Sequence, residues 1–470
     1  MTHLAPEPGL SLDPVALLDA RFAAAIAAAF PDAAGTPALI ARSKQDTHGE
    51  FQCNAAMSLA KRVGKAPRDV AQALVQHADL TGLAEPLTPA SIAGPGFINV
   101  RLLPSTLSAL LARLDAPGLG ITPPATPEVV VVDLCGVNLA KQMHVGHLRS
   151  TVIGDAIARL FERLGHRVIR QSHVGDWGLP IAMVVQKLVE LEDAGHLRLD
   201  AVTLDTLNAL YKAAQAECKG ETVALRSIIK YGGHAKAQPE LAERIAHAEA
   251  ATERAKARLV ALQSGDPRSV AVWQRVYDVT MAACLATCAR LHAHVTDEHS
   301  AGESTYRTEL AGVVDDLLSR GVAELSDGAA VVRVDGIEEP CLIRKSDGGF
   351  LYATTDLAAI RRRVRALGGS RVVYCVDARQ SLHFRQVFGA AHKAGYDAVP
   401  NPRPDGTRAR LEHAAFGSVL GEDGSPLKTR SGENVRLTDL LDEADARALA
   451  AVAAKNPDLP EHDRAAIARG

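Results

Sequence analysis

Hydrophobic positions along the chain fall into two periods, and their alternation lays out an architecture. Val129 to Val132 is a continuous β-branched run, the composition of a strand buried on both faces. After a short polar passage an apolar helical pattern starts near Gly146 and continues toward Leu164. The segment HRVIRQ then predicts a second strand, leading to Gly175-Asp176-Trp177. A strand, helix, strand unit of this length implies a parallel sheet with a right-handed crossover, and ligands bind beyond the carboxyl ends of such strands. From Leu179 to about Ala293 the pattern is largely helical and charged, with ERAKARLVALQSGDP typical of an exposed amphipathic helix. Extended segments return at AAVVRV and CLIRK; RVVYCVD (Arg371 to Asp377) supplies another buried strand, and a helix follows from about His383 through Ala394. The expectation is an α/β fold, interrupted and resumed.

Ahead of this unit the pattern differs. Leu12 to Phe30 reads as an Ala-rich amphipathic helix, and two further helices are separated by Gly64 to Pro67, with Pro67 suited to the first turn of the second. Ser91 to Leu102 is strand-like, with Gly94-Pro95-Gly96 as a turn. Residues 1–115 thus read as a small α+β domain, and the Pro and Gly content of Ala116 to Pro127 marks a linker at 116–127.

Composition narrows the function classes. The 470 residues have room for two or three domains, and 47% hydrophobic with 23% charged residues is ordinary globular usage. A net charge of −3 gives no global attraction for nucleic acid, so RNA contact must rely on local patches. Arg361, Arg362, Arg363 and Arg365 form one such patch, or equally a solvated helix face. Seven cysteines without CxxC pairs argue against a disulfide framework or zinc ribbon, and Cys284 and Cys288 read as small core residues of an apolar helix. No targeting succession opens the chain and no apolar run reaches membrane-spanning length, so a cytoplasmic protein is expected. Neither GxxxxGK nor GxGxxG is present to suggest a P-loop enzyme or a dehydrogenase.

The candidate chemistry lies where the first strand's loop becomes a helix. His144 and His147 flank a Val-Gly pair there, so imidazole donors and free backbone N–H groups converge on one point that suits a polyphosphate. Gly146 lacks a side chain, which lets a flat ring such as adenine lie on the backbone. An HxxH pair also reads as a metal pair, but zinc wants three or four protein ligands and no partner cluster stands at ligand spacing, so no metal site is expected. Taken alone, the motif reads first as ordinary core with incidental histidines.

HVGH at 144–147 resembles the first ATP-binding signature of class I aminoacyl-tRNA synthetases, and its flanks from Asn138 to Gly178 resemble arginyl-tRNA synthetases in particular. RKSDGGFLYATTDLA (Arg344 to Ala358), VDARQSLHFRQVF (Val376 to Phe388) and GSVLGEDGSPLKTRSGENVRLTDLLDEA (Gly417 to Ala444) resemble the same family in the same order, so the resemblance covers nearly the whole chain. It implies a Rossmann-like parallel-sheet catalytic domain over 128–470 with a helical insertion at about 179–293, behind an amino-terminal domain that touches the tRNA. It also implies an arginine–tRNA ligase that activates L-arginine with ATP and Mg²⁺ and transfers it to tRNA(Arg).

Such activation brings two anions together, so it depends on positioned cations and donors rather than on a protein nucleophile. By resemblance His144 and His147 stabilise the phosphates, with Lys141 neutralising developing charge. The second signature, usually KMSKS, reads LKTRS here; Arg430 stands in place of the second Lys, part of whose task falls to Lys141. Lys428, Thr429 and Arg430 then reach phosphates from a Gly-rich loop. A guanidinium is planar and cationic, and a carboxylate fork is its matched partner. Tyr352 and Asp356, four apart, face it by resemblance together with Glu303, while Asn138 and Gln380 hold the amino and carboxyl groups with His383 nearby. Asp356 also reads as a helix cap.

Two departures qualify the resemblance. The family usually has Ser-Pro-Asn where this chain has Gly136-Val137-Asn138, so the loop carrying Asn138 is expected to be less constrained. The family also continues after LLDEA into a helical anticodon-binding domain, whereas this chain ends at Gly470. That domain is therefore expected to be absent or supplied as a separate domain or chain, and tRNA charging to be impaired. The alternatives are a stand-alone arginine-activating paralogue with another acceptor, or a non-catalytic module that binds ATP or arginine for regulation.

Overall fold

The structure, a computed structural model, describes residues 13–43, 49–115, 119, 121, 123–230, 239–403, 406–420, 424 and 435–469. It divides into two compact units, Met1–Pro123 and Pro124–Gly470.

In the first unit α1 (Pro14–Ala29) begins on Asp13, whose side chain accepts the Val15 N–H at 2.9 Å, an N-cap followed by proline at the first helical position. β1 (Ile40–Arg42), β2 (Phe51–Cys53), α2 (Ala55–Val63) and α3 (Pro67–His77) follow, then β3 (Ile92–Ala93), β4 (Phe97–Val100) and α4 (Pro104–Leu114). α2 stops at Gly64, whose φ of 67° is the left-handed conformation that ends helices at low cost in glycine. The strands form an antiparallel sheet in the order β1-β2-β4-β3. Its core joins Leu18, Phe22 and Ile26 of α1 to Leu59, Leu74 and Ile98.

The second unit runs β5 (Val129–Asp133), α5 (Val145–Arg163), β6 (Arg167–Gln171), then α6 (Leu179–Asp193), α7 (Leu204–Lys230), α8 (Pro239–Gln263) and α9 (Pro267–Arg290). Next come α10 (Glu303–Tyr306), α11 (Leu310–Ser319), β7 (Glu324–Ser326), β8 (Ala329–Val332) and β9 (Cys341–Arg344). α12 (Tyr352–Arg365), β10 (Arg371–Tyr374), α13 (Ser381–Ala394), β11 (Ala398–Arg403), β12 (Gly406–Arg408), β13 (Arg410–His413), α14 (Leu437–Lys455) and α15 (Glu461–Arg469) complete it.

A parallel sheet in the order β13-β10-β5-β6 organises this unit, and β7, β8 and β9 form a separate antiparallel sheet. β5 is central, and its side chains alternate between faces. Val130 and Val132 pack with Ala158 of α5, Val184 of α6 and Cys288 of α9, whereas Val131 packs with Leu357 of α12 and Val387 of α13. Both faces being covered by helices explains why β5 reads as an unbroken valine run. β5 continues to β6 on one side and meets β10 on the other, so the chain's order reverses between β5 and β10, where such sheets open a crevice.

The arginine run of α12 is not a single surface patch. Arg363 is fully buried, its Nη2 2.7 Å from Asp133 Oδ2 at the end of β5 and its guanidinium over the Tyr374 ring. Arg361 pairs with Glu309 at 2.8 Å, leaving Arg362 and Arg365 exposed. The helix turns one arginine onto the sheet, where Asp133 neutralises it. Among the described residues no helix is long and apolar enough to cross a membrane.

Candidate active site

The site is built at the carboxyl ends of β5, β6 and β10. Past β5 the chain turns at Cys135 and Gly136, with φ of 70° and 58°. Val137–Leu139 then runs beside the segment after β6: Gly175 N–H donates to Val137 O at 2.8 Å, and Leu139 N–H donates to Gly175 O at 3.1 Å. Val137 is buried and Ala140 N–H donates to Thr280 Oγ1 at 3.1 Å. The loop carrying Asn138 is therefore held by hydrogen bonds to its neighbours, which correct the expectation of a loosened segment; proline is not needed to fix it.

Gly175 is also where the Asn138 side chain lies, since a Cβ on Gly175 would stand 2.2 Å from Asn138 Oδ1. Replacing Gly175 with alanine is expected to push the Asn138 side chain aside.

The two histidines cap α5 between themselves. His144 Nδ1 accepts the Gly146 N–H at 3.1 Å, and His147 Nδ1 accepts the His144 N–H at 3.1 Å. Val145 N–H donates to Val435 O at 3.0 Å, and His147 N–H to His144 O at 2.8 Å. The N–H groups expected to be free for phosphates are thus already engaged, because the imidazoles fill the capping role that Ser or Asp usually plays. What remains is a consequence of that capping: each ring accepts at Nδ1, so in its neutral form each carries its proton at Nε2 as a donor. Burial first, then His147 and Lys141, bring the His144 pKa down to about 4, and burial also lowers that of His147, so both rings are neutral near pH 7. Gly146 is exposed, and a Cβ there would lie 2.8 Å from the His144 ring.

A cavity of about 480 Å³ gathers His144, Gly146, His147, Asn138, Glu303, Tyr352, Asp356, Gln380 and His383 on its walls. Tyr352 opens α12 and is largely exposed. Asp356, one turn on, is not a cap; its Oδ2 lies 2.7 Å from His383 Nε2 of α13. Glu303 begins α10, its backbone N–H donating to Val174 O at 3.0 Å. Burial, with Asp176 and Asp356 nearby, raises its pKa to about 7. Lys141 lines an adjoining cavity of about 870 Å³ that shares Asn138, Gly175, Glu303 and Tyr352, with its ammonium 4.3 Å from the Tyr211 ring centre. Lys428, Thr429 and Arg430 lie outside the described residues. The chain just after them returns to the site, where Leu437 N–H donates to Met143 O at 3.0 Å and Arg436 pairs antiparallel with His144.

Three residues of the site escaped the sequence reading. Arg379 lines the cavity, its guanidinium held by Asp377 at 2.9 and 3.0 Å; the ARQ segment beside Gln380 was the available signal. Asp176 is buried and accepts the Ser304 N–H at 2.8 Å and hydroxyl at 2.6 Å, fixing the start of α10 and so Glu303. Gly302 makes room for it, since a Cβ there would be 2.4 Å from Asp176 Oδ2.

A parallel sheet whose central strand feeds a histidine-capped helix, with the cavity at the strand ends, defines the class I aminoacyl-tRNA synthetases, and residues 122–469 match the family described as tRNA synthetases class I (R), catalytic domain. Residues 16–102 match the arginyl tRNA synthetase N terminal domain, and the chain belongs to the arginyl-tRNA synthetases. It is 42% identical over 463 residues to the arginine–tRNA ligase of Cellvibrio japonicus (strain Ueda107), covering 96% of this chain and 72% of that relative. The arginine–tRNA ligase of Thermobifida fusca (strain YX) is 40% identical over 468 residues, with 97% and 73% covered. In fold it is similar to the crystal structure of arginyl-tRNA synthetase from Plasmodium falciparum, with a TM-score of 0.71 at 22% identity over 98% of this chain and 74% of that one. The Thermus thermophilus arginyl-tRNA synthetase gives 0.64 at 24% identity, with 97% and 73% covered.

Proposed function

We propose that the chain joins L-arginine to ATP as arginyl-adenylate in the 480 Å³ cavity and then transfers arginine to tRNA(Arg). The observation that carries this reading is the meeting of a neutral histidine pair with a carboxylate pocket on one set of walls. The guanidinium lies against Asp356, Glu303 and Tyr352, where its fork meets matched acceptors. Asn138 and Gln380 hold the amino and carboxyl groups, so that the carboxylate attacks the α-phosphate in line and expels pyrophosphate. The Nε2–H groups of His144 and His147 donate to the phosphate oxygens as charge builds there.

Mg²⁺ prefers oxygen ligands and keeps several waters, so it arrives on the ATP phosphates and offsets their charge. The described side chains form no cage for it, because Asp133, Asp356 and Asp377 are engaged by Arg363, His383 and Arg379. Lys141, from the adjoining cavity, and Lys428, Thr429 and Arg430, which precede Val435 in the sequence, add positive charge and donors for the phosphates. The amino-terminal unit contributes to the grip on tRNA.

Arginine-dependent exchange of pyrophosphate into ATP, with and without tRNA(Arg), tests this. Exchange that needs arginine supports the reading, and its dependence on tRNA measures how far the two steps are coupled. No exchange under either condition would favour a binding module.

Arginine affinity should also depend on pH. With a pKa near 7 in the free protein, Glu303 is protonated below that pH and must release its proton to face a guanidinium. Affinity therefore rises as pH increases from 6 toward 8, by up to about tenfold per unit below the pKa, and levels off above it. Calorimetry in buffers of different ionisation enthalpy would register the released proton. Glu303→Gln should flatten the profile, and a profile unchanged by that substitution would remove Glu303 from the guanidinium pocket.

A further inference from the structure

Where β5 ends against α9, three cysteine thiols converge. Cys135 follows β5, while Cys284 and Cys288 lie one turn apart on α9. All three are buried, and their sulfurs lie within 4.8 Å of one another. Cys135 Sγ and Cys288 Sγ are 3.8 Å apart, and Cys284 Sγ is 3.4 Å from the thioether sulfur of Met143. We propose that Cys135, Cys284 and Cys288 form a binding site for one soft, closed-shell cation of the Cu(I) type, with the Met143 thioether as a weaker fourth donor.

The spacing suits it. With a metal–sulfur bond of about 2.3 Å, three sulfurs in a trigonal array stand roughly 4 Å apart, close to what the empty cluster already shows. Thiolate and thioether ligands select Cu(I) over the harder cations that travel with ATP. Cys135 points into this cluster from a left-handed backbone with a φ of 70°, a conformation that costs a non-glycine residue about 1–3 kcal/mol. Packing alone does not require a cysteine in that conformation.

Charge favours a monovalent ion. One thiolate and one monovalent cation cancel, whereas a divalent ion in the same apolar surroundings keeps uncompensated charge until a further thiol ionises. Binding forms bonds from the cation to the three sulfurs without electron transfer, and any thiol that ionises releases its proton to solvent. Cys135 also lines the 480 Å³ cavity, which provides the way in.

The test uses the full chain, reduced and anaerobic, titrated with Cu(I) supplied as its acetonitrile complex against a chromogenic Cu(I) chelator. One equivalent should be withheld from the chelator by the native chain and by Cys341→Ala, whose cysteine lies in the other core, and lost in Cys135→Ser and Cys288→Ala. Retention by those two variants, or no withheld equivalent in the native chain, overturns the site. X-ray absorption on the loaded native chain needs no variant: a sulfur-only shell of three neighbours supports the proposal. Nitrogen neighbours would place the ion on His144 and His147 instead and overturn it.

Discussion

Replacing His147 with alanine is expected to slow arginyl-adenylate formation by about 10²-fold or more, with a smaller effect on ATP binding. The surroundings of the ring suit that role. Its Nδ1 is occupied by the His144 N–H at 3.1 Å, and burial keeps it neutral, so Nε2–H is a fixed donor that needs no reorganisation as phosphate charge develops. A donor of that kind stabilises the transition state more than the bound nucleotide, so the loss falls on the rate. The same bond also caps α5, and losing a cap costs about 1 kcal/mol, too little to unfold the chain. Single-turnover adenylate formation, measured beside ATP affinity and a denaturation curve, separates the two effects. A normal rate in the variant would remove His147 from the chemistry.

Asp356→Asn should weaken arginine binding by roughly 2–5 kcal/mol while leaving ATP affinity in place. The substitution keeps the shape of the side chain but removes the charge that offsets a desolvated guanidinium. In the free protein Asp356 Oδ2 is taken by His383 Nε2 at 2.7 Å, which leaves Oδ1 for the ligand. His383→Ala therefore frees a carboxylate oxygen but loses its orientation, a milder change than neutralising the acid. Calorimetry with arginine reads both variants. Normal binding by Asp356→Asn would move the guanidinium site to Glu303.

Much of this was readable in the residues because the strongest signals are local. The valine run of β5, the helical period of α5 and the strands β6 and β10 each announce themselves within a few residues, and both helices around Gly64 to Pro67 end and begin where their breakers stand. β13 did not: RLEH alternates charge and apolarity over four residues at a sheet edge, too short for periodicity to separate it from a loop. Arg363 was read with its neighbours as surface because a run of arginines carries no sign of which one meets Asp133. The site was legible motif by motif, while its assembly was not. The bond between His383 and Asp356 depends on how α12 and α13 pack beside the sheet, and the thiol cluster joins residues 153 positions apart.

The placement of β10 beside β5 also has a consequence during synthesis. Ser370, just before β10, meets Val129 across 241 residues, through its backbone N–H and through its side chain. At typical elongation rates of 5–20 residues per second, β5 and β6 leave the ribosome on the order of ten to forty seconds before β10 does. Throughout that interval one edge of β5 offers an apolar valine run to any strand within reach. The helices α6, α7 and α9 emerge in the same interval and pack into the core on one face of β5, but a face is not an edge. The nascent chain therefore passes through a stage when the crevice between β5 and β10 has only one wall.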